Sequence, residues 1–264
     1  MGMVIVFFAV SILSSIVGSI CGIGGGVIIK PVLDATGIMS VSAISFLSGC
    51  TVLAMSVVSV YKNVRSKAAK LDLRIATGLA VGAAVGGVLG KTMFQSLKAA
   101  VGNEAVVGMT QALVLIAVTL GTLIYTVFKH RIRTKTYTQI WLCVVIGILL
   151  GVMSSFLGIG GGPINLVVLA YFFSMSTKEA ALSSLYIIMF SQITSLIQTC
   201  ATGSIPKVSA AYLAAMVVGG ILGGTLGSKV NKKISEEGVN KLFIALMAVI
   251  IGINIYNAVK FGMA

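Results

Sequence analysis

Apolar residues along this chain fall in long blocks separated by short polar loops. A helix needs about 20 such residues to cross a bilayer. Blocks of that length lie near 3–21, 40–61, 73–95, 105–128, 139–157, 179–200, 207–228 and 239–259. Two shorter apolar segments, 27–37 and 163–174, are too short to cross alone and are predicted as half-helices. The predicted fold class is an all-α polytopic membrane protein of about eight transmembrane helices plus two half-helices.

Each half-helix follows a glycine run, Gly22-Ile23-Gly24-Gly25-Gly26 or Gly158-Ile159-Gly160-Gly161-Gly162. Glycine costs a helix interior about 1 kcal/mol relative to alanine, so four in five positions predict a break in the helix. Irregular backbone at membrane depth survives only where it is buried in protein or lines a cavity. Two such breaks in corresponding places of two halves point to a transporter substrate site.

The two halves match in position. Gly22 of the first run recurs as Gly158 of the second, and the row Gly82, Gly86 and Gly90 recurs as Gly219, Gly223 and Gly227 at almost the same offset. Tyr125 and Lys129 recur as Tyr256 and Lys260 at a slightly smaller one. An offset that drifts so little predicts a duplicated four-span repeat, residues 1–130 and 131–264. An even number of crossings makes the halves parallel; a re-entrant hairpin at each glycine run makes the number odd and inverts them. The G-x-x-x-G rows of the third spans are expected to be packing surfaces.

Charge sets the expected orientation. Residues 62–74 carry Lys62, Arg65, Lys67, Lys70 and Arg74 against Asp72, and residues 129–135 carry Lys129, Arg131, Arg133 and Lys135 with no acid. The positive-inside bias makes both loops cytoplasmic. Eight crossings then put both termini in the cytoplasm, but they also put residues 229–241, with Lys229, Lys232, Lys233 and Lys241 against Glu236 and Glu237, outside. That loop fits the bias poorly.

Composition agrees with a membrane protein: 58% hydrophobic, 9% charged and a mean hydropathy of +1.09. The net charge of +13 resides in loops between spans, so it is read as topology and not as a nucleic-acid surface. Residues 1–20 lack a basic leader and are read as the first span. Four cysteines stand singly with no metal spacing, and the single histidine, His130, lies in a basic loop. The spans hold no histidine and no carboxylate cluster, so neither catalysis, a metal nor a cofactor is expected.

What the membrane part does contain is hydrogen-bond donors. A half-helix starting at Gly26 or Gly162 presents free N–H groups and a positive dipole end, an anion receptor in which Pro163 sacrifices no needed donor. Ser19, Ser155 and Asn165 beside the runs, with Ser154, and Ser45, Ser48, Thr51, Ser183, Ser184 and Gln192 on facing spans, are candidate ligands. Lys30 is the basic residue nearest a run. It has two readings: a substrate contact, or an i, i+4 partner of Asp34 at the outer interface. Leu166 stands where a second-half Lys30 would align. Lys91 and Glu104 are read as bracketing an outer loop, and Lys178-Glu179 as starting a helix.

The paired pentapeptides, the duplicated four-span unit and the glycine-rich third spans together resemble the TauE/SafE family of sulfite exporters and sulfonate permeases. The resemblance covers nearly the whole chain, and it assigns the motif residues Gly22, Gly24, Gly25, Gly26, Gly158, Gly160, Gly161 and Gly162. It implies a secondary transporter of small sulfur-containing or carboxylate anions, such as sulfite or organosulfonates, in the prokaryotic plasma (inner) membrane. Export is the first reading, because moving one negative charge out of a negative interior gains about 2.3 kcal/mol per 100 mV. For uptake, Asp34 and Glu179 are the acids near enough to carry a proton, and the sequence does not choose between the two directions. The implied partners are a small anionic substrate and membrane lipid, with no nucleic acid; self-association stays open. Two other readings stand beside this one: a metal or cation carrier using unwound carbonyls, and a membrane scaffold that transports nothing.

Overall fold

The computed structural model describes residues 2–66 and 71–263; Lys67 and Lys70, and the side chain of His130, lie outside the described residues. The described residues form ten α-helices: α1 (Gly2–Cys21), α2 (Gly26–Thr36), α3 (Val41–Arg65), α4 (Leu73–Val101), α5 (Glu104–Phe128), α6 (Ile140–Leu157), α7 (Pro163–Phe173), α8 (Thr177–Ala201), α9 (Ala210–Lys233) and α10 (Glu236–Gly262). Eight are long and apolar enough to span a membrane, and α2 and α7 are the two half-helices, of 11 residues each.

Local chemistry fixes the helix ends. Ser40, Asp72, Asn103, Ser209 and Ser235 cap α3, α4, α5, α9 and α10 by accepting from first-turn N–H groups. Lys178-Glu179 does start a helix, and Ser176 with Glu179 forms a reciprocal capping box on α8. Across the α4–α5 turn it is Lys98, not Lys91, that pairs with Glu104, at 2.8 Å. Lys91 lies two turns back, inside the span.

The glycine rows bring backbones together. A Cβ on Gly82, Gly86 or Gly90 of α4 would collide with the carbonyls of Val144, Ile148 and Val152 of α6. Gly219, Gly223 and Gly227 of α9 lie in the same way against Ser11, Ile12 and Ile16 of α1. Only small residues permit that approach, so the interdigitated pairs α4–α6 and α1–α9 frame the molecule.

The chain turns back at both glycine runs. Gly25 packs on Ser14 and Ser15, and Ile29 and Leu33 share a cluster with Phe7 and Val10, so α2 retraces α1 toward its start. In the second hairpin, Lys135 and Tyr137 N–H groups donate to the carbonyls of Tyr171 and Phe172, tying the end of α7 to the entry of α6. Eight helices are long enough to cross, while α2 and α7 lead back toward the faces from which α1 and α6 start.

This corrects the parity expected from eight crossings. Both termini lie on one face, which we call the terminal face, with the ends of α4, α8 and α10: Lys260 reaches the Ala35 carbonyl, and Gln95 donates to Thr202. The described cations of 62–74, 129–135 and 229–241 share the opposite, basic face, where Lys62 and Arg65 face Lys229 and Lys232 across one cleft. The 229–241 loop is therefore no exception: it falls with the other basic loops once the hairpins are counted as returning.

Candidate functional site

Where the two hairpins reach the middle of the molecule, their glycine runs touch. Gly24 faces the carbonyl oxygen of Gly160, Gly26 is seated against the carbonyl of Ile159, and Val52 of α3 and Ile188 of α8 close the sides. Val52 and Ile188 each stand near the middle of a 25-residue helix, which puts the contact at mid-depth. Gly22, Gly24, Gly158, Gly160 and Gly161 have φ of +75°, +75°, +64°, +67° and +113°, a left-handed backbone that explains why no larger residue serves there.

α2 begins at Gly26 and leads toward the terminal face; α7 begins at Pro163 and leads toward the basic face. Their amino ends thus converge on the crossing point. Among the described residues, no backbone acceptor is assigned to the N–H groups of Gly24, Gly25 and Gly26 or of Gly160, Gly161 and Gly162. The dipoles of both half-helices add positive potential at the same place.

Side chains complete the surroundings unevenly. Ser48 Oγ lies beside Gly26, and Ser45 beside Gly158; both are buried with no hydrogen-bond partner, as is Ser183 Oγ. Asn165 is buried on the first turn of α7, giving its Nδ2 to Ser184 Oγ at 3.3 Å and leaving Oδ1 unpartnered. Ser155 lies 3.4 Å from Ser191 Oγ and lines a small cavity with Ser45, Gly158 and Gln192.

Two expected ligands stand elsewhere. Ser19 Oγ is held by Ser59 at 2.9 Å, Ser228 at 3.2 Å and the Gly224 carbonyl at 3.3 Å, a knot that packs α1, α3 and α9 on the basic side of the crossing point. Lys30 bonds Asp34 at 2.5 Å, and the pair lines a pocket with Gln111, Leu157 and Asn254 to which no glycine of either run contributes. The i, i+4 pair with Asp34 is thus formed, and it is buried. Lys91, read from the sequence as bracketing an outer loop with Glu104, lines the cavity at Gly158. The signal was a lone cation directly after the Gly82-Gly86-Gly90 row, inside an apolar block.

A separate cleft on the basic face runs between α5, α7, α8 and α10, past Lys129, Thr134, Asn240 and Glu236; none of its lining residues belongs to a glycine run. Burial pushes the Lys129 ammonium below the ordinary lysine range, opposed by the Glu236 carboxylate.

No curated protein and no solved structure matched the chain in comparison. A protein-family model described as sulfite exporter TauE/SafE matches residues 7–255. With that match spanning nearly all 264 residues, and with apolar helices of membrane-crossing length throughout, the chain belongs to the TauE/SafE sulfite exporter family of membrane transporters.

Proposed function

We propose that this protein is a secondary carrier that moves a small sulfur-containing oxyanion, such as sulfite, and binds it where the two glycine runs meet. One observation carries the reading: two half-helices present unpaired N–H groups to one buried point, beside serine hydroxyls that also lack partners. A buried donor without an acceptor costs about 1–3 kcal/mol, so an arrangement with several of them favours an anionic occupant. A cation carrier is disfavoured by the same geometry, because the helix ends that meet here are positive.

The substrate-binding set that follows is Gly24, Gly25, Gly26, Gly160, Gly161 and Gly162, with Ser48 and Asn165 flanking. Gly22 and Gly158 shape the hairpins and Ser155 lines the approach. Export driven by the membrane potential needs no coupled ion.

The halves 1–130 and 131–264 are proposed as inverted repeats. Exchanging α1–α5 for α6–α10 turns the pairs α1–α9, α3–α9 and α2–α10 into α6–α4, α8–α4 and α7–α5, all of which are in contact. With the basic face in the cytoplasm of a prokaryotic cell, both termini lie outside. In a background with the native cysteines replaced by serine, Lys207→Cys should react with a membrane-impermeant maleimide in intact cells. Lys135→Cys should react only after permeabilisation; the reverse pattern would overturn the orientation.

The binding reading is tested at Gly24. An added methyl meets the Gly160 oxygen at 3.0 Å and Ile188 and Val52 at 3.5 Å, so there is nearly room for it. The left-handed backbone adds about 1–2 kcal/mol of strain. Gly24→Ala should therefore remain folded with a modestly lowered melting temperature, while the methyl blocks approach to the N–H groups. Sulfite flux into proteoliposomes should fall at least about tenfold, the equivalent of about 1.4 kcal/mol. Unchanged flux in the folded variant would sink the backbone receptor. Sulfite at about 100 times its Kd should also stabilise the native protein by about 2.7 kcal/mol in a thermal-shift assay, an effect absent in Gly24→Ala.

A further inference from the structure

Resting on the carrier reading above, we infer that Lys91 is the anion-selecting residue at the throat of the passage from the terminal face to the glycine runs. Lys91 belongs to two cavities at once. It lines the wide cleft at the terminal face with Ser42, Lys98 and Glu104, of about 600 Å³. It also lines the narrow inner cavity that ends at Ser45, Ser155 and Gly158. An anion crossing between the face and the glycine runs, in either direction, passes its ammonium.

Three features separate Lys91 from an ordinary helix lysine. It carries its charge within a membrane span, a costly position that is kept for function. Among the described residues no carboxylate pairs with it, since the ion pairs are Lys30–Asp34, Lys98–Glu104 and Lys241–Glu237. Its Nζ instead stands 5.2 Å from the centroid of the Phe94 ring, which holds the chain in place without neutralising it. Beyond it, the buried Ser45 oxygen in the inner cavity has no partner and is free to donate to an incoming oxyanion.

The matching position on the other side of the crossing point is neutral. Ser228 stands directly behind Gly227 as Lys91 stands behind Gly90, in the register that relates the two glycine rows. Its passage is shut by the bonds among Ser19, Ser59 and Ser228. The wide cleft of the terminal face thus reaches down to a cation in Lys91, whereas the matching position behind the closed serine cluster carries none.

The inner cavity also limits the substrate class. Phe46, Phe94 and Leu196 wall it, and it leaves little more room than a water molecule takes. A compact oxyanion, with its oxygens around one central atom, needs less widening of this throat than an organosulfonate with a carbon tail.

Initial sulfite flux into proteoliposomes of the full-length protein, measured against sulfite concentration, tests the assignment. Lys91→Met keeps the packing on Phe94 and removes the charge. It should raise the half-saturating concentration about tenfold with a maximal rate near that of the native protein, and Lys91→Glu should raise it further. Lys91→Arg should stay within about threefold of native, which shows that the variants are folded and that charge is what matters. An unchanged half-saturation in Lys91→Met, with flux still lost in Gly24→Ala, overturns the selecting role and leaves the carrier standing. A native protein that moves no sulfite overturns the carrier reading itself.

Discussion

Gly26→Ala should abolish transport and destabilise the protein by about 3 kcal/mol or more, at the upper end of what overpacking costs. Gly26 opens α2 with its Cα pressed against the peptide of Ile159 in the other glycine run. A methyl there would lie far inside van der Waals contact with the Ile159 oxygen and 2.8 Å from Ser48 Oγ. The obstacle is backbone, held in turn by the left-handed residues Gly158 and Gly160, so no side-chain rotation relieves it. Either the two hairpins separate, which dismantles the crossing point, or α2 loses its first turn. Gly162, which closes the second run as Gly26 closes the first, makes the control. Its φ of −169° suits any residue, and the nearest atom to a new methyl is the flexible end of Ile159 at 3.3 Å. Gly162→Ala should cost less than about 1 kcal/mol, because alanine is a poorer helix N-cap than glycine. Thermal denaturation and sulfite flux measured on both variants decide the matter. Equal melting temperatures for the two would mean that the runs do not interlock.

The difference between Gly26 and Gly162 also marks where sequence reading stops. Breaks and half-helices were legible, because clustered glycine and a short apolar block have one physical meaning in a membrane. The half-helices predicted at 27–37 and 163–174 are Gly26–Thr36 and Pro163–Phe173. Chain direction after each break was not legible. α1 has 20 residues and is long enough to cross, and hydropathy measures length without saying whether the chain returns. The misplaced charge of 229–241 was the one sign that the two half-helices return. Side-chain fate was hidden for a different reason. Ser19 and Ser155 occupy matching positions, each just ahead of its glycine run, yet Ser19 is locked by three oxygens while Ser155 faces a cavity. The distinction depends on which arm of the passage is closed, a property of the conformation and not of the residue. Lys91 gained its position in the same way, from the close approach of α4 to α6 that the preceding glycines allow.

Lys30→Met should be among the most destabilising single changes in the chain, by about 3–5 kcal/mol, although no glycine of the runs lines its pocket. The side chains of Lys30 and Asp34 are only 4% and 7% exposed, and Asp34 Oδ1 has no partner besides. Removing the ammonium leaves a buried carboxylate without its counter-ion, whereas removing both charges leaves apolar groups in a pocket shared with Leu157, Ala112 and Leu115. The double variant Lys30→Met/Asp34→Leu should therefore recover most of the lost stability, and the double-mutant cycle should report strong coupling. The pair stands on α2 where α7 has Leu166 and Ala170, which line the open cleft of the basic face. In the first half the ion pair fills the equivalent space, and Asn257 and Lys260 of α10 fasten the same helix by donating to the carbonyls of Pro31 and Ala35 at 2.9 Å. α2 is thus anchored along its length while α7 borders free volume. A rigid anchor predicts that the double variant, once folded, still carries sulfite at a rate near native. A folded double variant without flux would instead place the pair in the transport cycle, with Asp34 as the group that exchanges partners when the passage changes sides.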